Sequence, residues 1–213
     1  MTVAGRPDEA RSRLVRLADG YLVSQLLHVA VALEMPDRLA HGARRVDGLA
    51  VEVGVVPDLL RRVLRGLATE GVLEELPGDL FALTALGELL RSGVPGSLRG
   101  AVVARGELYY GATAGLLDAV RAGRSAFETV HGRPFFAYLG EDEGRGAAFM
   151  ASMAARAVGE ARAVAGAYDF SQFRTVVDVG GGTGALLRAG LRLTAHFPTD
   201  AGVHVLEARC GSS

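Results

Sequence analysis

The sequence predicts a mainly α-helical protein that opens with a winged-helix domain and closes on the first βα unit of a Rossmann-like α/β domain, which is incomplete. Three observations predict it. Helical apolar spacing prevails through the first 170 or so residues. Two short strand segments, 72–75 and 80–83, flank the turn Pro77-Gly78-Asp79. Finally, Val176-Val177-Asp178-Val179 runs into Gly180-Gly181-Gly182-Thr183-Gly184, a β-branched strand entering a glycine turn, with 29 residues remaining after Gly184.

In order along the chain, Asp8 can cap a helix from Glu9, and Leu14, Leu17, Tyr21, Leu22, Leu26 and Val29 follow helical spacing along it. Residues 24–33 are almost wholly apolar, so more than one face must be covered, which points to a subunit interface. Helices are expected at 36–40, 46–53 and 57–70, the last started by Pro57. The hairpin 72–83 follows, and Thr84 can cap a helix through Leu90. This order is the winged-helix pattern. Gly93 to Gly96 break the chain, and helical character is expected to resume over 98–122, with Leu108, Leu116, Leu117 and Val120 as core positions. An Ala-rich helix is expected over 144–165, then a helix from Ala185 to Leu193 and a second, parallel strand over 203–206. The expected domains are 9–97, the winged helix; 98–170, a helical linker; and 171–213, the α/β unit.

Composition narrows the class. The 213 residues are 49% hydrophobic with mean hydropathy +0.24, as packed globular structure requires. Basic and acidic residues number 23 and 24, so no overall field draws the chain to nucleic acid or to an anionic membrane. A single cysteine, Cys210, rules out an intrachain disulfide or a cysteine-based zinc cluster, and no metal is expected. Cysteine usage fits a reducing compartment, and a cytoplasmic setting is the expectation. No signal peptide or membrane span is read from the sequence. Lys, Asn, Ile and Trp are absent, a coding bias that strips Arg-for-Lys choices of functional meaning.

The glycine turn carries the chemistry. Gly180, Gly182 and Gly184 let a backbone approach a ligand closely and turn into a helix whose free N–H groups suit an anionic group. Asp178 precedes the turn by two positions, and Glu207 stands 23 residues after Gly184, near the spacing of an acid that holds ribose hydroxyls. A plain strand-to-helix connection accounts for the glycines equally well when they are taken alone.

With these residues in view, the chain resembles the small-molecule O-methyltransferases that use S-adenosyl-L-methionine and carry an N-terminal winged-helix dimerisation domain. The resemblance rests on residues 80–90, on Val94-Pro95-Gly96-Ser97-Leu98-Arg99, on His131-Gly132-Arg133-Pro134-Phe135-Phe136 and on the turn 178–184. It implies that Asp178, Gly180, Gly182 and Gly184 line the cofactor, that Glu207 meets its ribose, and that Phe149 and Met153, four residues apart on one helix, roof an acceptor pocket. Ordinary helix packing is the other account of that pair. The resemblance further implies a homodimer formed through the N-terminal helices and a small aromatic or polyketide-like hydroxyl as acceptor. The family's catalytic histidine belongs to a later segment, and His28, His41, His131, His196 and His204 lie in no comparable context, so the catalytic base is unknown and a truncated form is expected.

Two other readings stand beside this one. A non-catalytic dimerising partner of a full-length methyltransferase would keep the subunit contacts and lose the chemistry. A winged-helix transcriptional regulator would set Arg61, Arg62 and Arg65 against phosphates, yet residues 1–100 hold 12 arginines against 13 acids.

Overall fold

The computed structural model describes residues 7–170, 173, 175–179, 184–190, 192–198 and 204–209. It is mainly helical, with two small antiparallel sheets. The first helix of the sequence reading divides in two. Helices α1 (Pro7–Ala18) and α2 (Gly20–Ala32) meet at a 46° bend. Gly20 weakens helix continuity there, since glycine costs about 1 kcal/mol relative to alanine in a helix interior. Neither helix is long and apolar enough to cross a membrane alone, and the same holds for every other described helix.

Next come α3 (Met35–Arg38), β1 (Arg44–Arg45), α4 (Val46–Val53), α5 (Pro57–Thr69), β2 (Leu73–Leu76), β3 (Leu80–Leu83) and α6 (Ala85–Glu88). Each boundary has a local cause. Gly54 at φ +70° ends α4, and Pro57 occupies the first turn of α5, where its missing N–H costs nothing. The β2–β3 hairpin reverses within three residues because Gly78 and Asp79 both take positive φ, +86° and +57°. Strand order is β1-β3-β2, with Leu73 opposite Leu83 and Arg44 opposite Phe81. Phe81, Leu49, Leu64 and Leu67 are fully enclosed, joined by Val31 from α2 and Met35 from α3. Burying such side chains stabilises the unit by roughly 1.5–3 kcal/mol each.

The helical stretch expected over 98–122 is helical but not one unbroken helix. It divides into α7 (Arg99–Ala104), a π-helical turn at Arg105–Tyr109, α8 (Tyr110–Thr113) and α9 (Leu116–Ala122). Glycines at 106, 111 and 115 raise the backbone entropy that one continuous helix would have to lose. Leu108 is buried as expected, but Leu116, Leu117 and Val120 are 58%, 60% and 74% exposed, which corrects the expected core. Of α9 only Ala119 is enclosed. Helical spacing marks a face as apolar, and burial needs a neighbour packed against that face; among the described residues α9 has none there.

Helices α10 (Ala126–His131), α11 (Phe135–Gly140) and α12 (Glu143–Ala167) complete this segment. The carboxylate of Asp142 caps α12 by accepting from the Arg145 N–H at 2.9 Å. Small residues bring α7 onto α12: a Cβ on Gly100 would stand 2.8 Å from the Ala151 Cβ.

The C-terminal unit comprises β4 (Thr175–Val179), α13 (Ala185–Gly190), β5 (Arg192–Pro198) and β6 (His204–Arg209). Here the expected parallel βαβ arrangement is corrected. Strand order is β4-β6-β5 and both pairings are antiparallel, with Val177 opposite Glu207 and Pro198 opposite His204. Strands β4 and β5, joined through α13, run in the same direction, and β6 reverses between them because only five residues separate it from β5, too few for the dozen or so that a parallel crossover needs. The sequence then alternates Leu193, Ala195, Phe197, the period of a strand.

Candidate functional site

Two places in the fold gather the residues that the sequence singles out. The first is an aromatic wall where the π-helical turn, α10, α11 and α12 meet. Ala104, Leu108 and Leu139 are buried at its base, and Tyr109, Phe135, Tyr138 and Phe149 pack against them. The rings of Phe135 and Phe149 meet edge to face at 5.3 Å, and Tyr109 lies stacked on Phe135 at 5.9 Å. Such pairs add about 0.5–1.5 kcal/mol beyond the area they bury. His131 ends α10 with its ring 4.3 Å from Phe127 and 4.7 Å from Tyr138, and the Arg145 guanidinium lies 4.0 Å from the Tyr138 ring centre. The imidazole Nε2 of His131 is enclosed and has no hydrogen-bond partner.

Phe149 belongs to this wall; Met153, one turn further along α12, is 46% exposed and outside the cluster. The sequence reading missed Tyr109, Phe127, Phe135 and Tyr138 as wall residues. A signal was present: Phe127 with His131, and Phe135 with Tyr138, share helical spacing across His131-Gly132-Arg133-Pro134. Behind the wall an open cleft of about 340 Å³ is lined by Arg124, Glu128, Thr129, Gly132, Arg133 and Pro134, none of them an expected site residue. Arg133 is ion-paired with Glu141, whose carboxylate raises the guanidinium above its ordinary value.

The second place is the junction of β4 with α13. Asp178 is half-buried on β4, opposite Leu206 in the ladder, and Gly184 is buried at φ +74° immediately before α13. Glycine is the residue that takes this backbone region without a steric cost. Leu187 of α13 is fully buried. The expected contacts at Gly180 and Gly182 lie outside the described residues. Glu207 pairs with Val177, next to Asp178, and successive positions alternate between sheet faces, so Asp178 and Glu207 occupy positions on opposite faces. The described part of the junction is therefore the end of β4 at Val179, with Asp178 before it, and Gly184 at positive φ leading into α13.

Two of the three arginines of α5 are held in ion pairs. On α5, Arg61 is paired with Asp47, Asp58 and Asp79, and Arg65 with Glu75 and Asp79. Asp58 above all, then Asp79 and Asp47, raise the Arg61 guanidinium further. Among the described residues no group of three or more His, Cys, Asp or Glu side chains is placed to hold a metal ion.

Comparisons with known proteins converge on one family. The model of the O-methyltransferase dimerisation domain matches residues 15–93, and that of the O-methyltransferase domain matches residues 114–205. The phenazine O-methyltransferase PhzM of Lysobacter antibioticus is 38% identical over 94% of this chain and 63% of its own length. The solved structure of LaPhzM superposes with a TM-score of 0.80 at 38% identity, over 85% of this chain and 56% of that one. Human N-acetylserotonin methyltransferase, solved in complex with SAM, gives a TM-score of 0.76 at 27% identity, over 89% of this chain and 57% of that one. The chain therefore spans about half to under two thirds of the length of the relatives that it matches.

Proposed function

This chain belongs to the O-methyltransferase family, with a dimerisation domain followed by an O-methyltransferase domain, and on that premise we propose that it serves S-adenosylmethionine-dependent methyl transfer to the hydroxyl of a small aromatic or polyketide-like molecule. The observation that carries the proposal is the junction of Asp178 on β4 with Gly184 at φ +74°. The cofactor, when bound, supplies an electrophilic methyl group on a sulfonium.

In this reading Asp178, Gly180, Gly182 and Gly184 face the cofactor. Glu207 is assigned to the ribose, an assignment that requires β6 to leave its register beside Val177, because Asp178 and Glu207 now stand on opposite faces. Phe149, backed by Phe135, supplies an apolar surface that holds a flat acceptor and excludes water from the reacting oxygen, and Met153 closes over the acceptor from the next turn of α12. Removal of the hydroxyl proton is assigned to no residue of this chain.

We assign homodimerisation to α1 and α2. The supporting observation is the exposure of Leu17 and Tyr21 at 69% and 59%, inside the stretch matched by the dimerisation model, with Leu14 at 68% just before it. The helix order from α3 to the β2–β3 hairpin is read as a winged helix used for this assembly. The ion pairs that occupy Arg61 and Arg65 weigh against its use on DNA.

Titration calorimetry with S-adenosylmethionine tests the cofactor reading. Binding is expected, with a loss of about tenfold or more in Asp178→Ala, equivalent to about 1.4 kcal/mol. A folded wild-type chain that produces no heat at millimolar ligand would overturn it.

A further inference from the structure

A π-helical turn is uncommon, and one that persists within a helical segment usually marks a site with a function. The turn at Arg105–Tyr109 has a close contact with α2. A Cβ on Gly106 would stand 2.2 Å from Cγ of His28, so the imidazole lies directly on the glycine backbone. One residue on, a Glu107 carboxylate oxygen is 3.8 Å from the His28 Nε2, an atom that is enclosed and has no hydrogen-bond partner. The next two residues enter the aromatic wall, where Leu108 is buried and Tyr109 stacks on Phe135.

We infer that His28 is a positioning residue: from α2 it holds the π-helical turn through Gly106 and Glu107, and through that turn it sets the place of Tyr109 and Phe135 in the wall. The physical reason is close packing. A side chain seated on a backbone with no Cβ between them leaves neither partner room to move alone, so a shift of α2 moves the turn. The dimerisation unit and the wall thereby meet at this contact, next to Val102 and Val103 of α7, which also pack against the N-terminal core. Its bearing on the acceptor rests on the function proposed above, whereas the contact itself does not.

The test uses the whole chain with labelled aromatic rings, observed by NMR, together with amide hydrogen exchange. His28→Ala is expected to shift the ring signals of Tyr109 and Phe135 and to speed exchange at Leu108 and Tyr109 about tenfold or more, with Leu64 and Phe81 of the N-terminal core unchanged. His28→Gln, which keeps a side-chain N–H of similar reach, is expected to restore the signals. Unchanged Tyr109 and Phe135 signals in His28→Ala would overturn the inference. If that variant does not fold, Glu107→Gln, altered at a half-exposed side chain, decides in its place: a shift at Tyr109 supports the inference and none overturns it. No cofactor or acceptor enters the experiment, so absence of methyl transfer would count against the proposed function and leave this result standing.

Discussion

Phe135 and Phe149 join α11 to α12 through an edge-to-face contact of 5.3 Å at 74°. Phe135 also meets Tyr109, Phe127 and Phe136, which makes it the hub of the wall, whereas Phe136 is 75% exposed at its margin.

Phe135→Ala is therefore expected to cost about 2 kcal/mol, below the range for a fully buried ring because Phe135 is half-buried. Phe136→Ala should cost less than about 0.5 kcal/mol. Urea unfolding of the two variants measures the difference, and equal losses would show that Phe135 is not the hub.

The hairpin of the N-terminal unit is tied to α6 by two neighbouring residues. A Cβ on Gly87 would stand 2.4 Å from the Val72 carbonyl oxygen, and backbone cannot retreat as a flexible side chain can. Gly87→Ala is expected to destabilise by about 2 kcal/mol or more. The Thr84 hydroxyl accepts from the Gly87 N–H at 3.2 Å and lies 2.7 Å from the Gly71 carbonyl oxygen, so Thr84→Ala should cost about 1 kcal/mol. Thermal melts give both values.

Acid sensitivity follows from Glu52. A hydrogen bond from Arg44, with further help from Arg38, holds its carboxylate below the usual glutamate value. A carboxylate lowered on folding contributes stability above its unfolded value, about pH 4.3, and that contribution fades as pH falls through the lowered folded value. Glu52→Gln is expected to lower stability at neutral pH, with the gap to wild type closing as acid is added below about pH 4. Parallel curves down to the acid limit would contradict the pairing.

Leu17→Glu places a charge in the exposed apolar stripe of α1. If that stripe is the subunit contact, the wild type sediments as a dimer at about 50 µM and the variant as a monomer. A wild-type monomer at that concentration would remove the assignment.

How far these elements could be read from sequence depended on range. The N-terminal unit was legible because its signals are local and agree: Pro57 at the start of α5, Gly78 and Asp79 in the turn, Thr84 at the cap. The long helix α12 was legible from its Ala-rich period and its end. The break at Gly20 and the π-helical turn were not, since an isolated glycine is tolerated in many helices and its effect depends on what packs beside it.

Chain order, the hairpin, the glycine junction at Asp178 and the family resemblance were thus settled by residue identity, because φ preferences and apolar period act within a few residues of one another. Three matters were decided only in the folded molecule. Leu116, Leu117 and Val120 lie exposed because no described element covers their face. Strand β6 runs antiparallel to β4 because it returns along β5 after only five residues, too few for a crossover. His28 meets Gly106, 78 positions later in the chain, because two helices with no local signal for each other pack at a point where one of them lacks a side chain.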